Sequence, residues 1–243
     1  MQLFYSKDIT PNGFCTLDAE ESRHIVRVLR RHEGDSVDVT DGHGNLYQCK
    51  IIDANDRACV VESVGQSDNQ AFQQPNIHLA VAPTKNPARM EWLVEKAVEI
   101  GVGEITLLQC DHSERSFLKT DRLEKLAVSA MKQSLHLTLP KINPAIKLSD
   151  WLTQTTEQSN NQAIKLIAHC EADKPRVPIA TALAPRQDTI VLIGPEGDFS
   201  SEEIDLALQC GFHPVSLGPS RLRTETAALY AVAAFNLIND HAL

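Results

Sequence analysis

Residues 77–109, IHLAVAPTKNPARMEWLVEKAVEIGVGEITLLQ, hold a short apolar run, a loop with two prolines, a helical stretch closed by Gly101 and a second apolar run. Runs of five or six apolar residues without polar alternation suit strands buried on both faces, and a helix between two of them is the crossover that parallel pairing requires. The same alternation continues towards the C-terminus. A polar loop, DHSERSFLK (111–119), precedes the helical DRLEKLAVSAMKQSL (121–135). AIKLIAH (163–169), TIVLIG (189–194) and HPVSLG (213–218) read as further strands, and the helices SSEEIDLALQCG (200–211) and TETAALYAVAAFNLIND (224–240) follow the last two. Strands alternating with helices predict an α/β domain with a parallel sheet covered on both faces.

Upstream the pattern is different. GQSDNQAFQQP (65–75) is polar apart from Phe72 and ends in proline, which predicts a linker and places a domain boundary at 72. Before it, SVDVT, LYQCKII and ACVVESV are short strand-like runs separated by the turn-rich DGHGN and DANDR, so a small barrel or sheet is expected over 1–72. A helix is expected between Asp18, with Glu21 completing a capping box, and Gly34 at its C-terminal end. At about 100° per residue, Arg23, Arg27, Arg30 and Arg31 fall on one side of that helix, opposite Ile25, Val26, Val28 and Leu29. A solvated polar face explains most such patterns. Here the face is almost purely cationic in an acidic domain, which points to phosphate contact.

The chain has 243 residues with 23 Lys+Arg against 32 Asp+Glu, a net charge of −9. Such a balance argues against a protein that coats nucleic acid non-specifically, so any RNA site must be a local patch. Residues 1–72 carry 7 basic and 12 acidic side chains, and neither domain is basic. Mean hydropathy is −0.21, and no run approaches the ~20 apolar residues that cross a bilayer. The N-terminus lacks the basic-then-apolar pattern of a secretory signal. The six cysteines are scattered without CxxC or zinc spacing and read as free, mostly buried thiols. A cytoplasmic protein without a metal site is expected.

In a parallel sheet, ligands collect at the carboxyl ends of the strands. Three loops qualify: AHCEA after Ile167, IGPEGDFSSEE (193–203) and SLGPSRLRTETAAL (216–229). In the second, Gly194 and Gly197 let backbone approach a ligand, and Ser200 with Glu203 caps the next helix. None of the three is a GxGxxG or GxxxxGK[ST] cradle. Singly, each loop reads as a turn with surface charges. At adjacent strand ends of one sheet they favour a composite site.

IGPEGDFSSEEI together with LGPSRLRTETAAL resembles the two C-terminal motifs of SPOUT-class RNA methyltransferases, specifically the RsmE family of 16S rRNA uracil-N3-methyltransferases. KNPARMEWLVEKAVEIGV (85–102) and SERS (113–116) resemble that family's Lys-rich loop, Glu/Lys helix and basic loop. The resemblance implies a PUA-like N-terminal barrel (1–72) and a trefoil-knotted α/β domain (73–243). It also implies S-adenosylmethionine as cofactor, a homodimer, and one uridine of 16S rRNA in the assembled small ribosomal subunit as target. By the same resemblance, the cofactor pocket uses Ala168, Gly194, Glu196, Gly197, Leu217, Gly218, Leu222 and Thr226. Arg223 and Glu225 face the reaction, the arginine stabilising the base anion and the glutamate taking the proton or orienting the arginine. RNA contacts are expected from Arg23, Arg27, Arg30 and Arg31, and from Lys85, Arg89 and Arg115. Two positions depart from the family pattern: Ser220 holds the place of an arginine, with Arg221 next, and Lys132-Gln133 replaces a Glu-Gln pair. The rival readings are a nicotinamide or class I methyltransferase fold, for which APTKNP lacks the glycines, a non-catalytic RNA-binding protein, and a SPOUT enzyme acting on another nucleotide.

Overall fold

The computed structural model describes residues 2–67, 75–114, 119–158 and 163–240. Contacts divide the chain into two compact units, Met1–Phe72 with Val128–Leu139, and Gln73–Ala127 with Pro140–Leu243.

The first unit holds β1 (Leu3–Tyr5), β2 (Phe14–Thr16), the short helix α1 (Ala19–Arg23), β3 (Ser36–Thr40), β4 (Leu46–Asp53) and β5 (Val60–Ser67). They form a five-stranded sheet in the order β1-β3-β4-β5-β2, with β1 parallel to β3 and the other pairs antiparallel. Alternating residues Val37, Val39, Cys49, Ile51 and Val61 are buried with Phe4, Leu17 and Ile25. Register shifts at Gln48/Cys49 and Ile51/Asp53 add the local bend and twist that curl a small sheet around its core.

The expected long arginine helix is shorter than the sequence suggested. After α1 the chain makes one π-helical turn, His24–Val28, and leaves the helix at Leu29. Arg30 then adopts φ +55°, so Arg30 and Arg31 lie beyond the helix and share no helical face with Arg23 and Arg27. Gly34, at φ +88°, serves a turn before β3 instead of closing the helix. Half of the capping box forms: Asp18 accepts from the N–H groups of Glu20 and Glu21. The Glu21 carboxylate is buried and is taken by Lys132, whose helix ends in this unit. The chain after that helix also belongs here, with Thr40 Oγ1 donating to Leu137 C=O at 3.0 Å and Leu139 N–H to Gly42 C=O at 2.8 Å.

The second unit begins with β6 (Ile77–Val81), α2 (Pro87–Ile100), β7 (Glu104–Gln109) and α3 (Thr120–Ser134, whose end joins the first unit). It continues through β8 (Lys141–Lys147), α4 (Leu148–Gln158), β9 (Ile164–Ala168), β10 (Val177–Pro178) and α5 (Ile179–Ala182). The last elements are β11 (Thr189–Ile193), α6 (Ser201–Gln209), β12 (His213–Ser216) and α7 (Thr224–Asp240). The seven strands are all parallel, in the order β10-β12-β9-β11-β6-β7-β8. Leu79, Val81, Ile105, Leu107, Leu166 and Val191 are fully buried, as strands covered on both faces require. Helices α2 and α7 pack together on one face, while α4 and α6 cover the other through Trp151, Leu152, Ile204 and Ala207. Elements β8 and α4 fall where the sequence pattern was silent. Edge strand β8 is half exposed and carries Pro144, so it lacks an apolar run.

All six cysteines are free; four are buried, Cys210 is partly buried and Cys170 is exposed. Burial pushes the Cys49 thiol up to about 12, which leaves it a packing group and not a nucleophile. Among the described residues no helix is long and apolar enough to cross a membrane, and no cluster of three or more His, Cys, Asp or Glu could hold a metal ion.

Candidate functional site

Because β12, β9, β11 and β6 are neighbours and parallel, the loops after them open at one edge of the sheet. The loops after β9, β11 and β12 enclose a cavity of about 290 Å³. Ala168 and Cys170 line it from the first loop, Ile193, Gly194, Pro195, Glu196 and Asp198 from the second, and Arg221, Leu222, Arg223, Thr224 and Ala227 from the third and the start of α7. Most lining residues are small or aliphatic; the charged ones are Glu196 and Asp198 in the second loop and Arg221 and Arg223 in the third.

Hydrogen bonds between the loops hold this shape. Asp198 sits at φ +67°, a left-handed conformation that Asp tolerates better than most residues. Its carboxylate accepts from Cys170 N–H at 2.6 Å and from its neighbour Phe199 N–H at 2.9 Å, while its C=O faces His112 Nδ1 at 3.0 Å. The second loop is therefore tied to the first and to the loop after β7. Thr224 Oγ1 donates to Gly194 C=O at 3.1 Å, joining the second loop to the start of α7. Glu196 Oε1 accepts from Lys85 N–H at 3.0 Å, which adds the loop after β6. Gly194 leaves little space: a Cβ there would lie 3.1 Å from the Phe199 ring and 3.2 Å from its backbone nitrogen, so Phe199 would have to shift by a few tenths of an ångström. Gly218 is required by conformation, at φ +111°. Ser200 and Glu203 form the expected capping box on α6, and Glu203 also accepts from Asp111 N–H at 2.9 Å.

The structure gathers Ala168, Gly194, Glu196, Leu222 and Arg223 around the cavity. Gly197, Leu217, Gly218 and Thr226 do not line it. Gly197 lies against His112, and Leu217 and Gly218 form the half-exposed turn leading to Arg221. Arg221, at the position displaced from the usual pattern, reaches the cavity all the same. Glu225 is behind the wall, 6 % exposed, with Oε1 at 3.6 Å from Arg89 Nε; its Oε2 has no hydrogen-bond partner among the described residues. Arg89, expected on RNA, is thus the counter-ion of a buried carboxylate. Lys85 is exposed and paired with Glu114 at 2.6 Å. Arg115 lies outside the described residues. In the first unit Arg23, Arg30 and Arg31 are exposed, and Arg27 pairs with Asp56 at 2.7 Å, which holds that carboxyl below its usual range.

The sequence reading placed Asp198, Thr224 and His169 within the three loops but gave none of them an individual role. A Gly-Asp pair after a strand signals a turn, so Asp198 was findable. Thr224 and His169 carry no such local signal. His169 is buried, its Nδ1 accepts from Glu171 N–H at 3.2 Å, and its own C=O is held by Arg176 at 2.5 Å. Burial, with the Arg176 charge nearby, pushes its pKa down and keeps the imidazole neutral.

Comparison with known proteins agrees with this geometry. Residues 72–236 match the family described as RNA methyltransferase domain, and residues 17–62 match the RNA methyltransferase PUA domain. The chain is 32% identical over 190 residues to Ribosomal RNA small subunit methyltransferase E of Mesomycoplasma hyopneumoniae, covering 76% of this chain and 78% of that one. A crystal structure of a "probable rRNA-methyltransferase" from Porphyromonas gingivalis superposes with a TM-score of 0.89 at 41% identity over the whole of both chains. A Ribosomal RNA small subunit methyltransferase E from Neisseria gonorrhoeae, crystallised with S-adenosyl methionine, gives a TM-score of 0.81 at 25% identity over 98% of each chain.

Proposed function

The chain belongs to the ribosomal RNA small subunit methyltransferase E family of RNA methyltransferases, and from that premise we propose that it methylates N3 of one uridine of 16S rRNA in the assembled small subunit. It is an S-adenosylmethionine-dependent enzyme, and the observation that carries the reading is the small-residue cavity closed by three adjacent loops at the carboxyl edge of the sheet. The residues present fit that cofactor. At about 290 Å³ the cavity is near the lower end of the ~300–1,000 Å³ typical of small-molecule sites. A Cβ at Gly194 would crowd the wall, and the backbone of the second loop with Ala168, Leu222 and Ala227 offers amides and apolar surface to an adenosine. When bound, the cofactor supplies a sulfonium methyl group open to nucleophilic displacement.

The chain's own residues prepare the base. Uracil N3–H is weakly acidic, and the charge left on ionisation spreads to O2 and O4. Arg223, exposed at the cavity mouth, stabilises that anion in the manner of an oxyanion hole. Glu225, buried behind the wall and anchored by Arg89, has no access to the base proton and instead orients the entry to α7 beside Arg223. Glu196, accepting from Lys85 N–H, holds the loop after β6 over the site.

The remaining assignments belong to the same proposal. Residues 1–72 act as a PUA-like RNA-binding barrel and 73–243 as the knotted methyltransferase domain, a reading supported by the return of β12 to the far side of β9 from β11. Tyr230, Ala233 and Leu237 form an exposed stripe on α7, with Trp92 exposed on the neighbouring α2, and this supports a homodimer through those helices. The enzyme works where ribosomal subunits are assembled, in the cytoplasm. Methylation at N3 removes a pairing donor, so reverse transcription over 16S rRNA should halt beside one uridine only after subunits meet enzyme and cofactor. Read-through at every uridine of labelled RNA would refute N3 as the position.

A further inference from the structure

At the opposite, amino end of the parallel sheet lies a second cavity of about 570 Å³, formed wholly within the second unit. Its floor is polar where the adjoining stretch of the same face is apolar. The face covered by α4 and α6 is apolar at Ala80, Ala82, Leu108, Ile167, Ile190 and Leu192. On the same face, one pleat closer to the amino ends, stand His78, Glu104, Thr106 and Asn143. Polar side chains on the covered face of a parallel sheet disfavour folding unless they are satisfied or used.

These are satisfied only in part. Asn143 Nδ2 donates to Glu104 Oε1 at 2.6 Å and to Thr106 Oγ1 at 2.8 Å. The Glu104 carboxylate facing His78 Nδ1 favours the ring proton on that nitrogen, and Nε2 then accepts from Thr106 Oγ1 at 2.8 Å. His78 Nδ1 and Glu104 Oε2 face each other at 3.8 Å, too far for a hydrogen bond. The floor therefore presents a donor beside an acceptor, both with capacity to spare. Pro144, Ile146 and Trp151 form an apolar wall, and Trp151 meets His78 edge to face at 5.5 Å. Inside, the only full charge is Glu104; Lys141, at the rim and largely exposed, bonds Glu104 at 3.4 Å.

We propose that this cavity binds a nucleotide, its base between the apolar wall and the His78/Glu104 floor and its phosphate at Lys141. An adjacent donor and acceptor is what the pairing edge of every nucleobase presents, and a flat ring with one polar edge matches a cavity with one polar side. Lys141, largely exposed, spends one donor on Glu104 at 3.4 Å and keeps the others for a phosphate on its solvent side. The choice of a nucleotide rests on membership of an RNA methyltransferase family; the site itself is separate from the cofactor cavity. Its source is either a free mononucleotide or an unstacked residue of RNA.

The test uses the full-length Trp92→Phe protein, in which Trp151 is the remaining indole. Uridine and adenosine 5′-monophosphates are expected to quench its fluorescence saturably, whereas ribose 5-phosphate, which lacks a base, leaves it unchanged. Lys141→Gln should weaken mononucleotide binding by about 3–10-fold, the ~1 kcal/mol of one exposed charge contact, and leave uridine binding unchanged. Gln154→Phe, which fills the mouth, should abolish both. A single-stranded pentanucleotide binding more tightly than the mononucleotide assigns the site to RNA; tighter mononucleotide binding assigns it to a free nucleotide. No saturable response, or an equal response to ribose 5-phosphate, overturns the proposal. Titration with S-adenosylmethionine and methyl transfer to subunits, measured on the same proteins, report separately on the first site and on folding.

Discussion

Replacing Lys132 by methionine should destabilise the first unit in a pH-dependent way. Glu21 is 3 % exposed, Lys132 has 18 % side-chain exposure, and Glu21 Oε2 has no partner among the described residues. Both groups are too buried for solvent to replace the lost partner, so the substitution strands a carboxylate in the interior. Breaking a pair of this kind costs about 3–5 kcal/mol. Burial already holds the Glu21 carboxyl above its usual range, against the opposing pull of the Lys132 hydrogen bond and charge. For an acid whose folded pKa is raised, the folded state binds the proton more tightly. The contribution of Glu21 is therefore most favourable at pH values below the ordinary carboxylate range and declines as pH rises through the folded pKa. Removing Lys132 lifts that pKa further, so the loss grows and extends to higher pH. Urea unfolding followed by the NMR signals of Val39 and Val61, core residues of this unit, should show a midpoint about 1.5–2.5 M lower at pH 8, for a slope of about 2 kcal/mol/M. At pH 4 the deficit should largely vanish. The double variant Glu21→Leu with Lys132→Met should return to within about 1 kcal/mol of the parent at both pH values. A deficit equal at pH 4 and 8, or none at pH 8, would refute the reasoning.

Other outcomes follow from the site. Asp198→Ala removes the acceptor that ties the loops after β9 and β11, so calorimetry should show S-adenosylmethionine binding weakened by about 10-fold or more, the ~1.5–3 kcal/mol of a charged hydrogen bond, while Asp198→Asn should fall between. Gly194→Ala sets a methyl group against Phe199 and should cost about 1–3 kcal/mol of thermal stability together with cofactor affinity. Arg223→Ala and Glu225→Gln should lower turnover on saturating subunits while leaving cofactor affinity within about threefold, since Arg223 lies at the exposed mouth of the cavity and Glu225 behind its wall. Tyr230→Asp with Leu237→Asp should sediment as a monomer at micromolar concentration if α7 carries the dimer.

Much of the second unit was legible because its central strands are apolar on both faces and its loops carry glycine. Strands β6, β7, β9, β11 and β12 lie where the runs predict, and Ser200 caps α6 as its spacing with Glu203 suggests. Edge strand β8 was not legible, since half-exposed residues and Pro144 leave no periodic signal. The arginine helix was over-extended for a different reason. Helical periodicity continues through Arg31, but nothing local announces the π turn or the positive φ of Arg30. Within the site, single loops could be read for glycines and caps, whereas the pairing of Arg89 with Glu225 joins residues 136 positions apart and becomes visible only when α2 packs on α7. Lys132, read in the sequence as a departure from the pattern it resembles, meets Glu21, again a contact between distant segments.

The central claim is best tested by incubating the protein and methyl-labelled S-adenosylmethionine with small subunits from a strain lacking this modification, then digesting the 16S rRNA to nucleosides. The account predicts label in 3-methyluridine, at about one methyl group per subunit. Label in a different nucleoside, or none despite folded protein and intact subunits, would contradict it.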